Sequence, residues 1–375
     1  MADTLDRAPW VRIAIGLSFV VICVQAYRQN VNWDEFHFLS QIYAYLDGRL
    51  DRALQTVYIH GFTWLPLIPG NEVDQIFAGR LVMVICLGVT SLSVHRIARH
   101  YADGFSADIA VLAYLMSGYV LLYGASFRAD PLAAACVAAS VAIMLTSRMG
   151  LLQSMLVACL VAVAALVTVK VIFFAGVYLA AWLSRAQDRP VFVRTLLAGI
   201  AAVILWGGLF WWHASVIPAS QGPDTSDIAH NAAAMTLTQS GFFPRRDEFL
   251  TWAVLSLGPV ALILVGCAMT RSLPRALLVL AFLSPLLSVL IYRNAFAYFF
   301  PFATPFAMVV VAIGAMHVKN ARYLSYLTVL ICFGGIVQIG NAATETATAQ
   351  RATLNEIHRL FPDPCLLYTS DAADD

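Results

Sequence analysis

Charge is what this sequence has least of. Asp, Glu, Lys and Arg together make up 12% of its 375 residues, against 60% hydrophobic residues. A soluble domain averages about 25% charged and 45–50% apolar residues. Polar side chains this sparse cannot clothe a surface in water, so lipid is the implied solvent, in keeping with a mean hydropathy of +0.76. The net charge of +1 leaves no basic excess, which excludes nucleic acid as a partner. Paired cysteines are lacking as well. Cys23, Cys86, Cys136, Cys159, Cys267 and Cys332 all lie in apolar runs, without the loop spacing of a disulfide framework or a zinc site. They read as small buried hydrophobes. No repeat of fixed period is present.

A membrane-spanning helix needs roughly 20 mostly apolar residues. The candidates are Trp10–Tyr27, Ile76–Ile97, Ala107–Ala125, Pro131–Thr146, Leu151–Val169, Val171–Leu183, Leu196–His213, Phe249–Met269, Ala276–Ile291, Ala297–Met316 and Tyr323–Ile339. That predicts an all-α, polytopic transmembrane helical bundle of about eleven spans. Arg7 and Arg12 flank the first span and no small-residue cleavage site follows Cys23, so it reads as an uncleaved anchor.

With the N-terminus in the cytoplasm, the cytoplasmic segments hold Arg7, Arg12, Arg96, Arg99, Arg148, Arg185, Arg189, Arg194, Arg271, Arg275, Lys319 and Arg322. Their acids are Asp3, Asp6, Asp103, Asp108 and Asp188. Short loops rich in Arg and Lys stay inside, which puts Asp34 outside, on the periplasmic face of a bacterial inner membrane. Residues 1–340 form the transmembrane domain, with long external loops at 28–75 and 214–248. Residues 341–364 read as the start of a truncated C-terminal external region. The tail 365–375 resembles translated sequencing-adapter read-through and is set aside from the fold.

The first external loop contains NWDEFHFLSQIYAYLDGRL, residues 32–50. Phe38, Leu39, Ile42, Tyr45, Leu46 and Leu50 recur at three- and four-residue steps, which predicts a helix with one apolar face. It is too short and too polar to span and belongs at the membrane interface. At its start stand Asp34 and Glu35. Asn32 as N-cap with Glu35 three residues on is capping-box spacing, so the pair reads equally as a helix start and as a catalytic pair.

Other charges fall at external helix ends. In SFRADP, Asp130 reads as an N-cap with Pro131 at the first helical position, an account that leaves Arg128 unexplained. Lys170 interrupts the apolar run LVTVKVIFF. Near a helix end it can snorkel, but an ionisable group at membrane depth marks a functional site by default. In YRNAFAYFFPFATP, Arg293 stands among Tyr292 and Tyr298, aromatics that also suit an interfacial belt. Arg80, at the external start of its span, and His60, in YIHGFTW, complete the set. Cations at this depth suit a lipid phosphate, which Arg can grip through two N–H groups and Lys as a point charge.

In order along the chain, these pieces resemble the GT-C superfamily of integral-membrane glycosyltransferases, in the branch of protein O-mannosyltransferases and the lipid A aminoarabinose transferase. The acidic pair Asp34–Glu35 comes first, then the His60 segment. Arg128, Asp130 and Pro131 open a helix, and Thr168 and Lys170 end a span. Tyr292 and Arg293 precede a helix carrying Tyr298, Pro301 and Pro305. The glycine that usually follows the lysine is Val171 here.

The resemblance implies a transferase that moves a hexose or pentose, with inversion, from a polyprenyl-phosphate-linked donor to an acceptor hydroxyl on a lipid, glycan or protein. Asp34 would be the general base. Arg128, Lys170 and Arg293 would steady the departing phosphate. Glu35 and Asp130 would position the acceptor or a divalent ion; Glu35 and His60 are the candidate metal ligands, and metal use is left open. His60, Arg80, Tyr292 and Tyr298 would help bind substrate. The alternatives are a transporter or flippase of a lipid-linked or anionic solute, and a binding subunit without activity. Transporters usually show internal repeats with helices broken at mid-membrane, whereas here the charges gather at one end.

Overall fold

The computed structural model describes residues 8–217, 242–340 and 346–360. The adapter-like tail and most of the second external loop lie outside the described residues. Helices run in the order α1 (Ala8–Arg28), α2 (Trp33–Leu46), α3 (Glu72–Tyr101), α4 (Gly104–Met116), α5 (Val120–Tyr123), α6 (Ala129–Thr146), α7 (Leu151–Val167), α8 (Ala175–Leu183) and α9 (Arg189–Val216). After the second loop come α10 (Arg246–Leu255), α11 (Leu257–Ala268), α12 (Leu273–Leu287), α13 (Phe300–Ala303), α14 (Ala307–His317), α15 (Ala321–Gly340) and α16 (Ala347–Leu360).

Every apolar stretch marked in the sequence contains helix, in several cases broken within the stretch. Among the described residues six helices are long and apolar enough to cross a membrane, or up to eight if each of two bent pairs counts as one span. The described residues form an all-helical fold with several helices apolar enough for a membrane interior. Three of the expected spans are shorter than the bilayer requires: α4, α7 and the segment Val169–Leu183. The expected Ala107–Ala125 span is interrupted by a turn at Gly118, whose φ of +33° lies in the left-handed region. Glycine suits that backbone, and a Cβ there would also sit 2.7 Å from the Trp252 ring. The pair α10–α11 bends by 93°, and residues 297–317 bend by 66° between α13 and α14.

Helix α6 is the centre of the bundle, with 78% of its apolar window buried; only 22% is buried in α1 and in α9, which lie at the rim. Small residues explain α6: Ala133, Ala134, Ala135, Ala138 and Ala142 are all buried, letting α3 and α7 approach closely. The same logic joins α11 to α14, where a Cβ on Gly314 would lie 2.0 Å from the Leu262 carbonyl oxygen. At the rim, Leu17 and Val20 of α1 and Val203, Ile204 and Trp211 of α9 are exposed. In a helix that faces hydrocarbon this is the expected outward surface.

The expected interfacial helix is α2. Asn32 caps it, accepting from the Glu35 N–H, while Glu35 accepts from the Asn32 N–H. Gly48, at φ +67°, ends it. The C-terminus of α1, the N-termini of α2, α3 and α6, and the C-terminus of α7 meet at one end of the bundle. There the site is built.

Candidate functional site

Glu35 and Arg80 form the floor. Glu35 Oε1 accepts from Arg80 Nε at 2.8 Å and from the Phe127 N–H at 2.7 Å; Oε2 accepts from Arg80 Nη2 at 2.5 Å and from the Asn32 N–H at 3.1 Å. The remaining N–H groups of Arg80 donate to the carbonyls of Ala26, Gln29 and Asn30 at 2.8, 2.8 and 3.0 Å. A guanidinium has five N–H donors, and all five are spent. Both side chains are buried. Arg80 was expected to bind substrate and Glu35 to share the catalysis or hold a metal. In this structure every donor of Arg80, and both oxygens of Glu35, have partners within the protein.

Asp34, beside Glu35 in the first turn of α2, faces outward. Its carboxylate is 39% exposed and pairs with Arg128 Nη1. The sequence suggested Asp130 as the N-cap of α6. Instead the extended Arg128 holds that place, and Asp130 lies within the first turn. Arg128 therefore leaves the helix at an angle that turns it back toward α2. It is buried, with Nε 3.9 Å from Asp130 Oδ2 and its guanidinium carbon 3.5 Å from the centre of the Tyr298 ring. That Nε–H has no hydrogen-bond partner. Burial disfavours the Arg128 charge, but Asp130 and Asp34 outweigh it and hold the group above its ordinary range.

Lys170 closes the far side, its ammonium on Asp130 Oδ1. Thr168 explains how it gets there. Its extended backbone ends α7, and its hydroxyl oxygen accepts from the Lys170 N–H at 3.3 Å, capping a 3-10 turn over Val169–Phe174. Phe299 and Phe302 lie 5.9 and 5.8 Å from the ammonium, ring centre to nitrogen. The arrangement runs Asp34, Arg128, Asp130, Lys170, with carboxylates and cations in alternation.

Tyr298 stacks on Arg128. Tyr292 is buried against Phe173 and Phe299, and burial with nearby Asp130 pushes its phenol well above its ordinary range. Arg293 is exposed and makes no ion pair or hydrogen bond among the described residues. His60 turns away from the carboxylates. Its Nε2 lies 2.7 Å from His213 Nδ1, and its ring packs on Trp212 and Tyr45. The two expected metal candidates, Glu35 and His60, thus belong to separate clusters.

Among the described residues no group of three or more His, Cys, Asp or Glu could hold a metal ion. Between Asp34 and Asp130 the positive charge is the Arg128 guanidinium. Nothing in the sequence marks Phe299 and Phe302 as the walls around Lys170. Nor did it reveal Phe38 and Tyr58, which stack edge-on beside Arg128. Beneath the site a groove of about 350 Å³ opens between the helices, lined by Tyr58, Phe62, Val82, Leu132, Val163 and Val167 among others.

No family model and no curated protein matches the sequence. Solved structures do match in shape. ArnT from Cupriavidus metallidurans bound to undecaprenyl phosphate superposes with a TM-score of 0.64 at 13% identity, over 85% of this chain and 62% of that one. The apo state of ArnT gives 0.60 at 15% identity, over 87% and 62%. The archaeal oligosaccharyltransferase AglB from Archaeoglobus fulgidus, in complex with an inhibitory peptide and a dolichol-phosphate, gives 0.54 at 12% identity, over 92% and 56%. ArnT and AglB are GT-C glycosyltransferases. This chain has the GT-C fold. It spans about three fifths of the length of these proteins.

Proposed function

We propose that the chain is a glycosyltransferase that takes a sugar from a polyprenyl-phosphate-linked donor and passes it, with inversion, to an acceptor hydroxyl at the external face of a bacterial inner membrane. The observation that carries this reading is the alternating run Asp34–Arg128–Asp130–Lys170. It places one partly open carboxylate beside the buried Arg128, which keeps an unpartnered N–H, and the partly buried Lys170.

The donor's phosphate accepts from Arg128 Nε–H and attracts Lys170, competing with Asp130 for both. Its prenyl tail lies in the apolar groove under Tyr58 and Phe62. As Arg128 turns to the phosphate, Asp34 is released from its ion pair. Asp34 then takes the proton of the acceptor hydroxyl as its oxygen attacks the anomeric carbon and the bond to the phosphate breaks. A general base must come within about 2.6–3.2 Å of the donor atom. The leaving phosphate keeps the bonding pair, and Arg128 and Lys170 stabilise that charge where water is excluded. Glu35 and Arg80 touch neither reactant; they hold α2 at the correct height. ArnT bound to undecaprenyl phosphate and AglB bound to a dolichol-phosphate share the fold, which supports a lipid-phosphate donor.

Membranes containing the full chain, incubated with a labelled polyprenyl-phosphate sugar, test the reading. Covalent label on an acceptor hydroxyl is the expected result. Movement of the intact donor across the membrane without chemistry would instead make the protein a flippase. Retention of donor alone would make it a binding subunit.

A further inference from the structure

The segment Gln29–Asn32, which leads into Asp34, is held from two sides. From inside the bundle, Arg80 takes the carbonyls of Gln29 and Asn30. From outside, the partner is α16. Gln350 Oε1 accepts from the Val31 N–H at 2.6 Å, and its Nε2 donates to the Val31 carbonyl at 2.8 Å. One amide side chain thus pairs with both backbone groups of the residue before the Asn32 cap. Thr346 adds an antiparallel bridge to Gln29.

The same helix grips the start of α3. Arg351 pairs with Asp74 at 2.6 Å and lies over the Phe77 ring at 5.3 Å; Phe77 also faces Arg80, at 5.4 Å. The Asn71 amide donates to the Arg351 carbonyl and to Asn355 Oδ1, at 3.1 and 2.9 Å. His358 Nε2 reaches Glu72 Oε1 at 3.2 Å. Every one of these contacts falls on the two segments that present Glu35 and Arg80 to each other.

We infer that α16 is the outer clamp of the catalytic segment, and that Gln350 is a positioning residue that sets Asp34 through Val31 and the Asn32 cap. The inference rests on Asp34 being the base of the transfer reaction. Val31 is buried with no side-chain polar group of its own, so its backbone N–H and C=O need partners. Gln350 supplies both. With it removed, Val31 must recruit water or shift, and the shift is passed directly to the first turn of α2. Displacing a reacting group by about 1 Å can cost up to about 100-fold in rate.

The test uses the full chain in membranes or nanodiscs, with Gln350→Ala and Gln350→Glu. Glutamate keeps an acceptor for the Val31 N–H but has no donor for the carbonyl. Two readouts are taken on each: amide hydrogen exchange at Val31–Glu35, and kcat and KM for polyprenyl-phosphate sugar per folded molecule. Gln350→Ala is expected to speed exchange at Val31 and to lower kcat about tenfold with donor KM unchanged. Gln350→Glu is expected to fall between Ala and wild type in both. Unchanged exchange at Val31, or faster exchange with wild-type kcat, overturns the inference. So does a loss of activity that only tracks loss of folded protein.

Asp34→Asn is the control for the underlying reading. If it still turns over, the assignment of Asp34 fails. If it is dead while Gln350→Ala is fully active, only the clamp fails. Should the wild type show no transfer, exchange at Val31 still decides whether α16 holds the segment.

Discussion

Arg80 and Glu35 satisfy each other almost completely: two charge-assisted hydrogen bonds, 2.8 and 2.5 Å, join side chains only 4% and 1% exposed. Removing one partner from such a pair leaves an uncompensated buried charge, at a cost of about 3–5 kcal/mol. Glu35→Gln and Arg80→Ala are therefore expected to lower the yield of folded protein in membranes and its thermal unfolding temperature. Arg80→Lys will not rescue, because an ammonium cannot reproduce five directed N–H groups. Thermal unfolding of the purified variants in detergent checks this. Wild-type stability in Arg80→Ala would show that the floor of the site is held by something else.

Asp34 calls for the opposite behaviour. It is partly open and bound through one guanidinium, so Asp34→Asn should fold normally while transfer drops about 100- to 10,000-fold, the usual worth of a general base. Initial rates with labelled donor, normalised to folded protein, give the number. Turnover near the wild-type rate would remove Asp34 from the mechanism.

Lys170 and Asp130 separate catalysis from stability. Lys170→Met leaves Asp130 buried with Arg128 as its remaining cation, so both folding and activity should suffer. Adding Asp130→Asn removes the stranded charge and should restore the folded yield. Transfer in the double variant should stay about 100- to 1,000-fold down, since the cation on the departing phosphate is still missing. Recovery of activity together with folding would make Lys170 purely structural.

How much of this could be read from sequence depended on the kind of signal. The apolar runs gave helix in every marked stretch, and the capping spacing at Asn32–Glu35 placed the start of α2 to the residue, though its apolar stripe ran on to Leu50 while the helix ends at Leu46. Long-range placement was harder. Asp130–Pro131 looked like a helix start, yet Arg128 took the cap, because a local propensity rule has no knowledge of Asp34 across the site. His60 went to α9 rather than to the carboxylates, since loop residues carry no periodicity that fixes their direction. The breaks at Gly118 and at Thr304 fell inside runs whose hydropathy is continuous, so composition alone could not show them. Gln350 and Arg351 lie more than 270 residues from Asp74 and Val31 in sequence, and nothing local reveals such a pairing.

Metal dependence follows from the donor set. The carboxylates Asp34 and Asp130 share the Arg128 guanidinium, Asp130 also holds Lys170, and both Glu35 oxygens accept N–H groups. Transfer is therefore expected to survive chelation. Activity should be the same after dialysis against EDTA as after adding back magnesium or manganese. A rate that collapses with EDTA and returns with one cation would overturn this expectation.

His60 ties the first external loop to α9. The Ala53 carbonyl can only accept, so His213 Nε2, 3.0 Å away, carries the proton. Its Nδ1 must then accept from His60 Nε2–H, 2.7 Å away. Protonating either ring at its remaining nitrogen puts charge into a half-buried cluster, and protonating His213 destroys the bond. Burial lowers the His60 pKa in the folded chain below its ordinary value of about 6.5. A histidine shifted in that direction contributes stability that is whole above its unfolded pKa and is lost as pH falls through the folded one. The unfolding temperature should thus be level above about pH 7 and decline below about pH 6.5. His60→Phe keeps the packing on Trp212 and Tyr45 but cannot titrate. It should be less stable than wild type at pH 8, because His213 loses its donor, and should show a shallower decline on acidification. Parallel acid slopes in the two proteins would place the titrating group elsewhere.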